Sequence, residues 1–341
     1  MNNLKTTILA LCLTLTSFIP CFAQETEEAD SSINVIAYFS KNDTTEYRET
    51  HLKYQIRDND TIYQNAYYED YEDYALIVKD STASDYTIEC ISKDFQLLTM
   101  EQSFGDKLTK IIWDITKNVP LLIKVDSLGS LKGIVNWKEY RDKVQPAFKV
   151  ACEMLKGDLN ENIINIPGLI VTFNQMTNTE EAIINATTIT SKLFSLHGCS
   201  FSFGETKSKG ETLGYPTDIT AQTSVHETAS KEGDPEIANA GDYDIQVVSQ
   251  TKMPVTKLTD LGLDIAQQTM TETSASMIDE AKSKLKEEIK GLGDATITVN
   301  ENYSYFVNGW PKYISEEKIF DINEAKVVTS FEIEWTNIRW Q

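Results

Sequence analysis

The chain has 341 residues, 52 of them acidic and 31 basic, and carries a formal net charge of −21 at pH 7. Such a surface repels phosphate backbones, which argues against nucleic acid as a partner, and it favours a soluble monomer. The longest apolar run beyond the N-terminal segment, residues 163–171, is interrupted by Pro167 and Gly168 and is too short for a transmembrane span.

The first 23 residues have the parts of a secretory signal. Lys5 supplies the positive charge, a short apolar stretch follows, and small residues precede a cleavage point between Ala23 and Gln24. A lipid anchor on Cys21 is the competing interpretation. It needs a small residue before the cysteine, whereas Pro20 stands there, with its fixed φ and no N–H. We therefore expect an extracytoplasmic protein, periplasmic or secreted, that loses Cys21 with its signal.

Three cysteines remain after cleavage, Cys90, Cys152 and Cys199. They allow at most one disulfide within the chain, which excludes a disulfide-stapled scaffold. Cys90 alternates with Tyr86 and Ile88 on the apolar face of a predicted strand. We expect it to be a buried, inert thiol.

Alternating apolar residues predict antiparallel hairpins in the first part of the mature chain. A flexible acidic lead-in, residues 24–32, precedes them. The strand segments are HLKYQIRD, DYALIVKDS with DYTIECIS, and PLLIKVDSLGSLKGIVN. Two helices are predicted next, one from Asn136 as N-cap to Gly157 and one from Thr177 to about Leu196.

Residues 204–216 are the predicted connector between a first half, 33–203, and a second half, 217–341. The second half is predicted to contain two strands, a long helix over 257–290 and three closing strands. Sequential hairpins indicate antiparallel sheet, and long helices must bury their apolar stripes against it. The predicted fold class is therefore α+β, with twisted antiparallel sheets and long helices packed on them. This order of elements also allows two similar halves.

Three stretches, DSTASDYTIECIS, LIKVDSLGSLKGIVNWKEYRDKV and GWPKYISEEKIF, resemble segments of uncharacterised exported proteins of Bacteroidota. The resemblance covers most of the mature chain and implies an extracytoplasmic α+β protein with no established activity, so it assigns no functional residue. The expected arrangement of sheet around helix is also similar to periplasmic carriers of the half-barrel type, which is an analogy of fold alone.

Motifs for metal, phosphate or nucleophile chemistry are incomplete. His197 and Cys199 are too close in sequence to fill a zinc site, and Gly198 between them indicates a helix end. The segment DLNENIINIPGL starts like a calcium loop but lacks the glycine and the final glutamate of one. The sequence predicts no catalytic residue, no metal and no cofactor.

The run YYEDYEDY, residues 67–74, has two interpretations. Aromatic rings beside carboxylates suit contact with a sugar or a cation, and a carboxylate pair suits acid–base hydrolysis. Charge runs are more often solvated, which favours an acidic loop or the start of an edge strand.

Four matches to the O-glycosylation pattern of Bacteroidota lie in the first half of the chain. In this pattern Asp is followed by Ser or Thr and then by a small or aliphatic residue. It predicts glycans on Thr44, Thr61, Ser81 and Ser127, which lie mostly near predicted turns, where a bulky glycan fits.

Export, antiparallel strands and the lack of a catalytic motif favour a non-enzymatic envelope protein. Its ligand, unidentified and possibly apolar in character, would bind between sheet and helices, against Tyr303, Tyr305, Trp310 and Trp335. The alternatives are a carboxylate-based glycan hydrolase, which needs two acids in a cleft, and a structural or assembly component of the envelope, which needs an apolar surface patch.

Overall fold

The computed structural model describes residues 32–57, 60–62, 68–98, 104–158, 166–226, 241–260, 293–322 and 325–339. Strands are the main elements of these residues. They are β1 Ser32–Asn34, β2 Thr44–Arg57, β3 Asp60–Ile62, β4 Tyr68–Ser81, β5 Asp85–Leu97, β6 Leu121–Asp126, β7 Leu131–Ile134, β8 Ser200–Ser202, β9 Gly204–Thr212, β10 Tyr215–Val225, β11 Tyr243–Pro254, β12 Asp294–Tyr305, β13 Pro311–Ile322 and β14 Ala325–Arg339.

Most described helices come from one stretch of the chain, between β5 and β8. They are α1 Phe104–Thr116, α2 Trp137–Met154, α3 Ile166–Met176, α4 Glu180–Ala186 and α5 Thr188–Leu193. A short 3₁₀ turn, Lys156–Asp158, follows α2, and a helical stretch at 255–260 follows β11. None of the described helices is long and apolar enough to cross a bilayer.

One large antiparallel sheet dominates the architecture. Eleven strands form a continuous path in the order β7-β6-β5-β4-β2-β14-β13-β12-β11-β10-β9, and β3 adds to β2 beside this path. The first long strand pairs with the last one, from Ala325 opposite Arg57 to Arg339 opposite Thr44. A separate two-stranded ladder joins β1 to β8.

The predicted α+β class, with long helices packed on separate sheets, is wrong. The described structure is mainly β, because strands of 12–15 residues from both ends of the chain satisfy each other's backbone groups in a single sheet. The predicted connector 204–216 is part of this sheet. It forms β9, a turn at Leu213 and Gly214 with positive φ at both residues, and the start of β10. The division into domains stays a prediction.

The predicted helices are only partly confirmed. The helix after Asn136 is present as α2, but the Asn136 side chain does not cap it, since its amide accepts from Leu122 N and donates to Pro120 O. The helix predicted over 177–196 is two short helices, because Thr187 has extended dihedrals between them.

Several predictions lie outside the described residues. These are the signal segment with its cleavage point, the fate of Cys21, the lead-in up to residue 31 and the long helix beyond residue 260.

One face of the sheet, which we call the inner face, is contacted by helical side chains such as Trp113 and Lys192. Its main apolar core contains large, fully buried side chains, among them Tyr47, Phe194 and Trp310. A smaller apolar cluster around Phe320 lies toward the other ends of the strands. Charged side chains occupy the inner face between these two apolar regions, and they form the sites described next.

Candidate functional site

A cavity of about 380 Å³ lies between the inner face and the helices. This volume is within the range of about 300–1,000 Å³ that small-molecule sites occupy. Strands β2, β4, β5 and β6 form its floor, and helices α1 to α5 form its walls. The lining residues are Glu49, His51, Glu72, Tyr74, Cys90, Ser92, Thr109, Ile112, Trp113, Thr116, Lys117, Val119, Leu121, Tyr140, Arg141, Val144, Phe173, Thr177, Ile183, Ala186, Thr187 and Thr188.

The floor carries a histidine held between two carboxylates. His51 Nε2 lies 2.8 Å from Glu49 Oε1, and His51 Nδ1 lies 2.8 Å from Asp70 Oδ1. Burial of the ring disfavours its charge, but the two carboxylates outweigh that effect and raise the pKa of His51 to about 10. His51 is therefore an imidazolium at neutral pH that neutralises one of the two buried acids.

Glu49 is the most enclosed acid in the cavity, with 2% of its surface exposed. While Oε1 contacts His51, its second oxygen, Oε2, has no hydrogen-bond partner among the described residues. A buried carboxylate oxygen without a partner is costly, so this atom is a ready acceptor for a donor that enters the cavity.

Glu72 lies opposite Glu49 across the β2–β4 ladder. Trp113 Nε1 donates to Glu72 Oε1 at 3.0 Å, and the hydroxyl of Ser92 donates to the same oxygen. Burial raises the pKa of Glu72 to about 7, although these hydrogen bonds act in the opposite direction. Glu72 thus changes charge near neutral pH inside the cavity.

We expect the protonation of Glu72 to govern part of the pH dependence of stability. A carboxyl with a raised folded-state pKa stabilises the protein below its unfolded pKa, and this contribution is lost as the pH rises through the folded pKa. When the pH is raised from 5 to 8, the free energy of unfolding of Glu72→Gln should therefore increase by about 2–3 kcal/mol relative to that of wild type. Urea unfolding at both pH values measures this. Asp73→Asn, on the outer face of β4, is the control. If the difference in stability between Glu72→Gln and wild type is the same at pH 5 and pH 8, the raised pKa assigned to Glu72 is wrong.

The walls of the cavity combine aromatic rings with two cations that already have partners. Lys117 Nζ lies 3.2 Å from Asp114 and 4.7 Å from the centre of the Trp113 ring. Arg141 pairs with Asp142 at 2.7 Å. Within the described residues, neither cation forms an ion pair with Glu49 or Glu72.

A second set of buried charges lies farther along the inner face and outside the cavity. Lys192 Nζ lies 3.0 Å from Glu301 and 2.5 Å from Glu316, and Lys318 Nζ lies 2.8 Å from Glu316. All four side chains are at most 8% exposed. Tyr303 donates a further hydrogen bond to Glu301. With two cations and two anions this cluster is internally balanced, which suits a structural role.

The four residues predicted from the sequence as ligand contacts lie elsewhere. Tyr303, Tyr305 and Trp310 are at most 1% exposed and pack in the main core, and Trp335 is partly buried at its margin. None of the four lines the cavity. Their role in ligand binding stays a prediction, while the cavity offers a ligand different side chains.

The histidine and the two cysteines discussed in the sequence analysis, His197, Cys90 and Cys199, are buried. His197 is 3% exposed with Nε2 2.8 Å from Gly309 O, and burial lowers its pKa to about 4. Cys90 is a buried free thiol, as predicted. Cys199 is buried and disulfide-bonded, so it is not a free thiol.

The predicted glycan acceptors also differ in accessibility. Ser81 and Ser127 are exposed, Thr44 is half-buried in β2, and the side chain of Thr61 lies outside the described residues. Modification of all four stays a prediction.

The sequence did contain a signal for the cavity floor. The run YYEDYEDY is neither a loop nor an edge strand, because residues 68–74 belong to the interior strand β4. With a strand period of two, Glu72 and Asp70 fall on the inner face while Tyr71 and Asp73 fall on the outer face with Arg48. The inward carboxylates could have been found by assigning this run to a strand.

Within the described residues, no group of three or more histidine, cysteine or acidic side chains is arranged to hold a metal ion. The charged groups described above contact one another or the cavity instead.

Comparison with known proteins gives no family. No family model matches the chain, and no curated protein matches it. Among solved structures, lipovitellin, described for its lipid–protein interactions, aligns with 88% of this chain and 26% of its own chain, at 9% identity and a TM-score of 0.35. The chain thus spans about a quarter of lipovitellin.

Two envelope proteins are also among the structural matches. An outer membrane channel from Pseudomonas putida F1 aligns with 92% of this chain and 100% of its own, at 5% identity and a TM-score of 0.13. A porin-like protein from Bacteroides uniformis aligns with 85% and 96%, at 9% identity and a TM-score of 0.15. Because these three TM-scores are below 0.5, the similarities carry no argument about function.

Proposed function

We propose that this protein binds a small ligand, without chemically changing it, in the cavity between the inner face and the helices. The single observation that carries the proposal is Glu49, a 98%-buried carboxylate that lines the cavity and has one oxygen without a partner among the described residues. A buried carboxylate oxygen without a partner is costly, and in a cavity of this size a ligand can supply the missing donor.

The predicted secretory signal supports an envelope or extracellular setting for this activity. The ligand would lie between sheet and helices, as expected from the sequence, but in a cavity whose floor carries charged side chains.

Filling the cavity tests the proposal. Val144 lines the cavity from α2 and is 8% exposed, so Val144→Trp should occupy the space at a cost of about 1–3 kcal/mol from overpacking. Native mass spectrometry of protein isolated from its natural host should show a bound small molecule on wild type and none on the variant.

The matched control is Val150→Trp, on the same helix but 47% exposed, which should keep the ligand. Urea midpoints verify that both variants are folded. Wild-type protein without any bound molecule, or a Val144→Trp variant that retains it, would contradict the proposal.

A second candidate function is glycoside hydrolysis, favoured by the pairing of Glu49 with Glu72. Residues directly opposite in an antiparallel ladder have Cβ atoms about 4.5–5.5 Å apart, which is compatible with a catalytic carboxylate pair. His51 would hold Glu49 in position through their ion pair, and Glu72, with a pKa of about 7, would serve as the acid.

Release of 4-nitrophenol from aryl glycosides tests this candidate. Hydrolysis should fall at least about 100-fold in Glu72→Gln, since the general acid is lost, and should persist in Asp73→Asn. If wild type releases no more nitrophenol than buffer across such substrates, the hydrolase candidate is wrong.

A further inference from the structure

The charge balance of the cavity floor is incomplete. Among the described lining residues of the floor, Glu49 and the ionised form of Glu72 supply two negative charges, and His51 supplies one positive charge, which it shares with Asp70. Because buried charges need partners, a floor with this excess favours a ligand that brings a positive charge.

The geometry places the missing partner beside Glu49. Its Oε1 is already 2.8 Å from His51, whereas Oε2 is enclosed and has no partner in the part of the chain that the structure describes. Glu72 lies in the facing register position, so a single cationic donor between the two strands reaches both acids. Lys117 and Arg141 also line the cavity, but Asp114 and Asp142 hold them.

The surroundings suit an organic cation better than a metal ion. The cavity is also lined by the aromatic side chains of Tyr74, Trp113, Tyr140 and Phe173. Aromatic faces attract ammonium groups and also bury an apolar chain. Within the described residues no set of ligands for a metal is present.

We propose that the ligand is a small molecule with a primary amine on an apolar body, and that its ammonium group binds between Glu49 and Glu72. This inference rests on the proposed function, since it names the class of ligand that the same cavity takes. Glu49 Oε2 accepts one N–H of the ammonium group, Glu72 accepts another, and the apolar body lies along the aromatic wall.

Amine binding should strengthen between pH 5.5 and pH 8, because Glu72 loses its proton in that range while the amine stays charged. Four other titratable groups near Glu72 keep their charge in that range. Burial raises the pKa of Tyr74 and Cys90, and raises that of Tyr140 to about 12, while the flanking carboxylates raise that of His51 to about 10. The remaining charged groups on the lining are Glu49, Lys117 and Arg141.

Three probes of equal chain length test the inference: hexylamine, hexanol and hexanoate, titrated calorimetrically into ligand-stripped wild type at pH 8. Hexylamine should bind at least about tenfold more tightly than hexanol, and hexanoate should bind most weakly. Glu49→Gln should reduce the preference for amine over alcohol to about threefold or less, since a neutral amide replaces the acid. Asp73→Asn, on the outer face, should keep the full preference.

The outcomes separate this inference from the proposed function. Equal binding of amine and alcohol, or a preference that survives Glu49→Gln, overturns the amine assignment while leaving a general binding cavity in place. Binding of none of the probes also overturns it, and the mass measurement on Val144→Trp then decides the proposed function independently.

Discussion

Replacing Lys192 by methionine is expected to lower the free energy of unfolding by about 3–5 kcal/mol at pH 7, because it leaves buried carboxylates without their cation. Lys192 joins Glu301 to Glu316 in an environment where all three side chains are at most 6% exposed. Lys318 remains beside Glu316, so Glu301 loses the only cation found near it in the described residues. Urea unfolding at pH 7 measures the loss.

Three comparisons make this prediction specific. Burial raises the pKa of Glu301, so the acid takes up a proton readily once Lys192 is gone, and the destabilisation should shrink at pH 4.5. Adding Glu301→Gln to Lys192→Met should recover more than half of the loss. Methionine at the exposed Lys149 on α2 serves as control and should change stability by less than about 0.5 kcal/mol. A loss below about 1 kcal/mol in Lys192→Met would mean that the cluster does not stabilise the fold.

His51→Leu is the second substitution with a large expected effect, about 3 kcal/mol of destabilisation at pH 7. The imidazolium contacts Glu49 and Asp70, whose side chains are 2% and 5% exposed, and both would remain buried without it. The estimate is at the lower end of the range because the His51 side chain is 36% exposed.

The pH dependence gives this prediction its sign. A histidine with a raised folded-state pKa stabilises the protein fully below its unfolded pKa of about 6.5, and this contribution is lost as the pH rises through about 10. The destabilisation by His51→Leu should therefore be smaller at pH 10 than at pH 7. His226 forms a similar pair with Asp244 at 2.8 Å on a more exposed site, so His226→Leu should cost less than about 1 kcal/mol. Equal costs for the two histidines would contradict the role given to His51.

Strand alternation was predictable where the inner face is apolar. In the last strand the alternation in the sequence assigns Val327, Phe331, Ile333 and Trp335 to one face; the first three are buried and Trp335 is partly buried. The antiparallel hairpins of the first half were predictable for the same reason, since each lies between adjacent segments of the chain.

The single sheet was not predictable from local patterns. Its central ladder joins β2 to β14, and contacts such as that between Asn337 and Glu46 span 291 residues. Alternation indicates that a segment is a strand and which side chains share a face, but it does not indicate the neighbouring strand. Without that pairing, helices and hairpins in sequence suggest separate α+β halves.

The cavity floor was missed because charged residues are normally assigned to the solvent. Glu49 is paired with His51 on the same strand, but His51 also needs Asp70 from β4, and Glu72 accepts a hydrogen bond from Trp113 of α1. Lys192 is a similar case, since its partner Glu301 lies 109 residues away in the sequence. Such compensation is a property of the assembled sheet.

The most direct test of ligand binding at Glu49 is a crystal structure of the protein isolated from its natural host without ligand stripping. The proposed function predicts electron density for one small organic molecule in the cavity, with a donor atom within about 2.7–3.2 Å of Glu49 Oε2. A cavity that contains only water, or one that has closed so that Glu49 Oε2 bonds to another side chain of the protein, would contradict it.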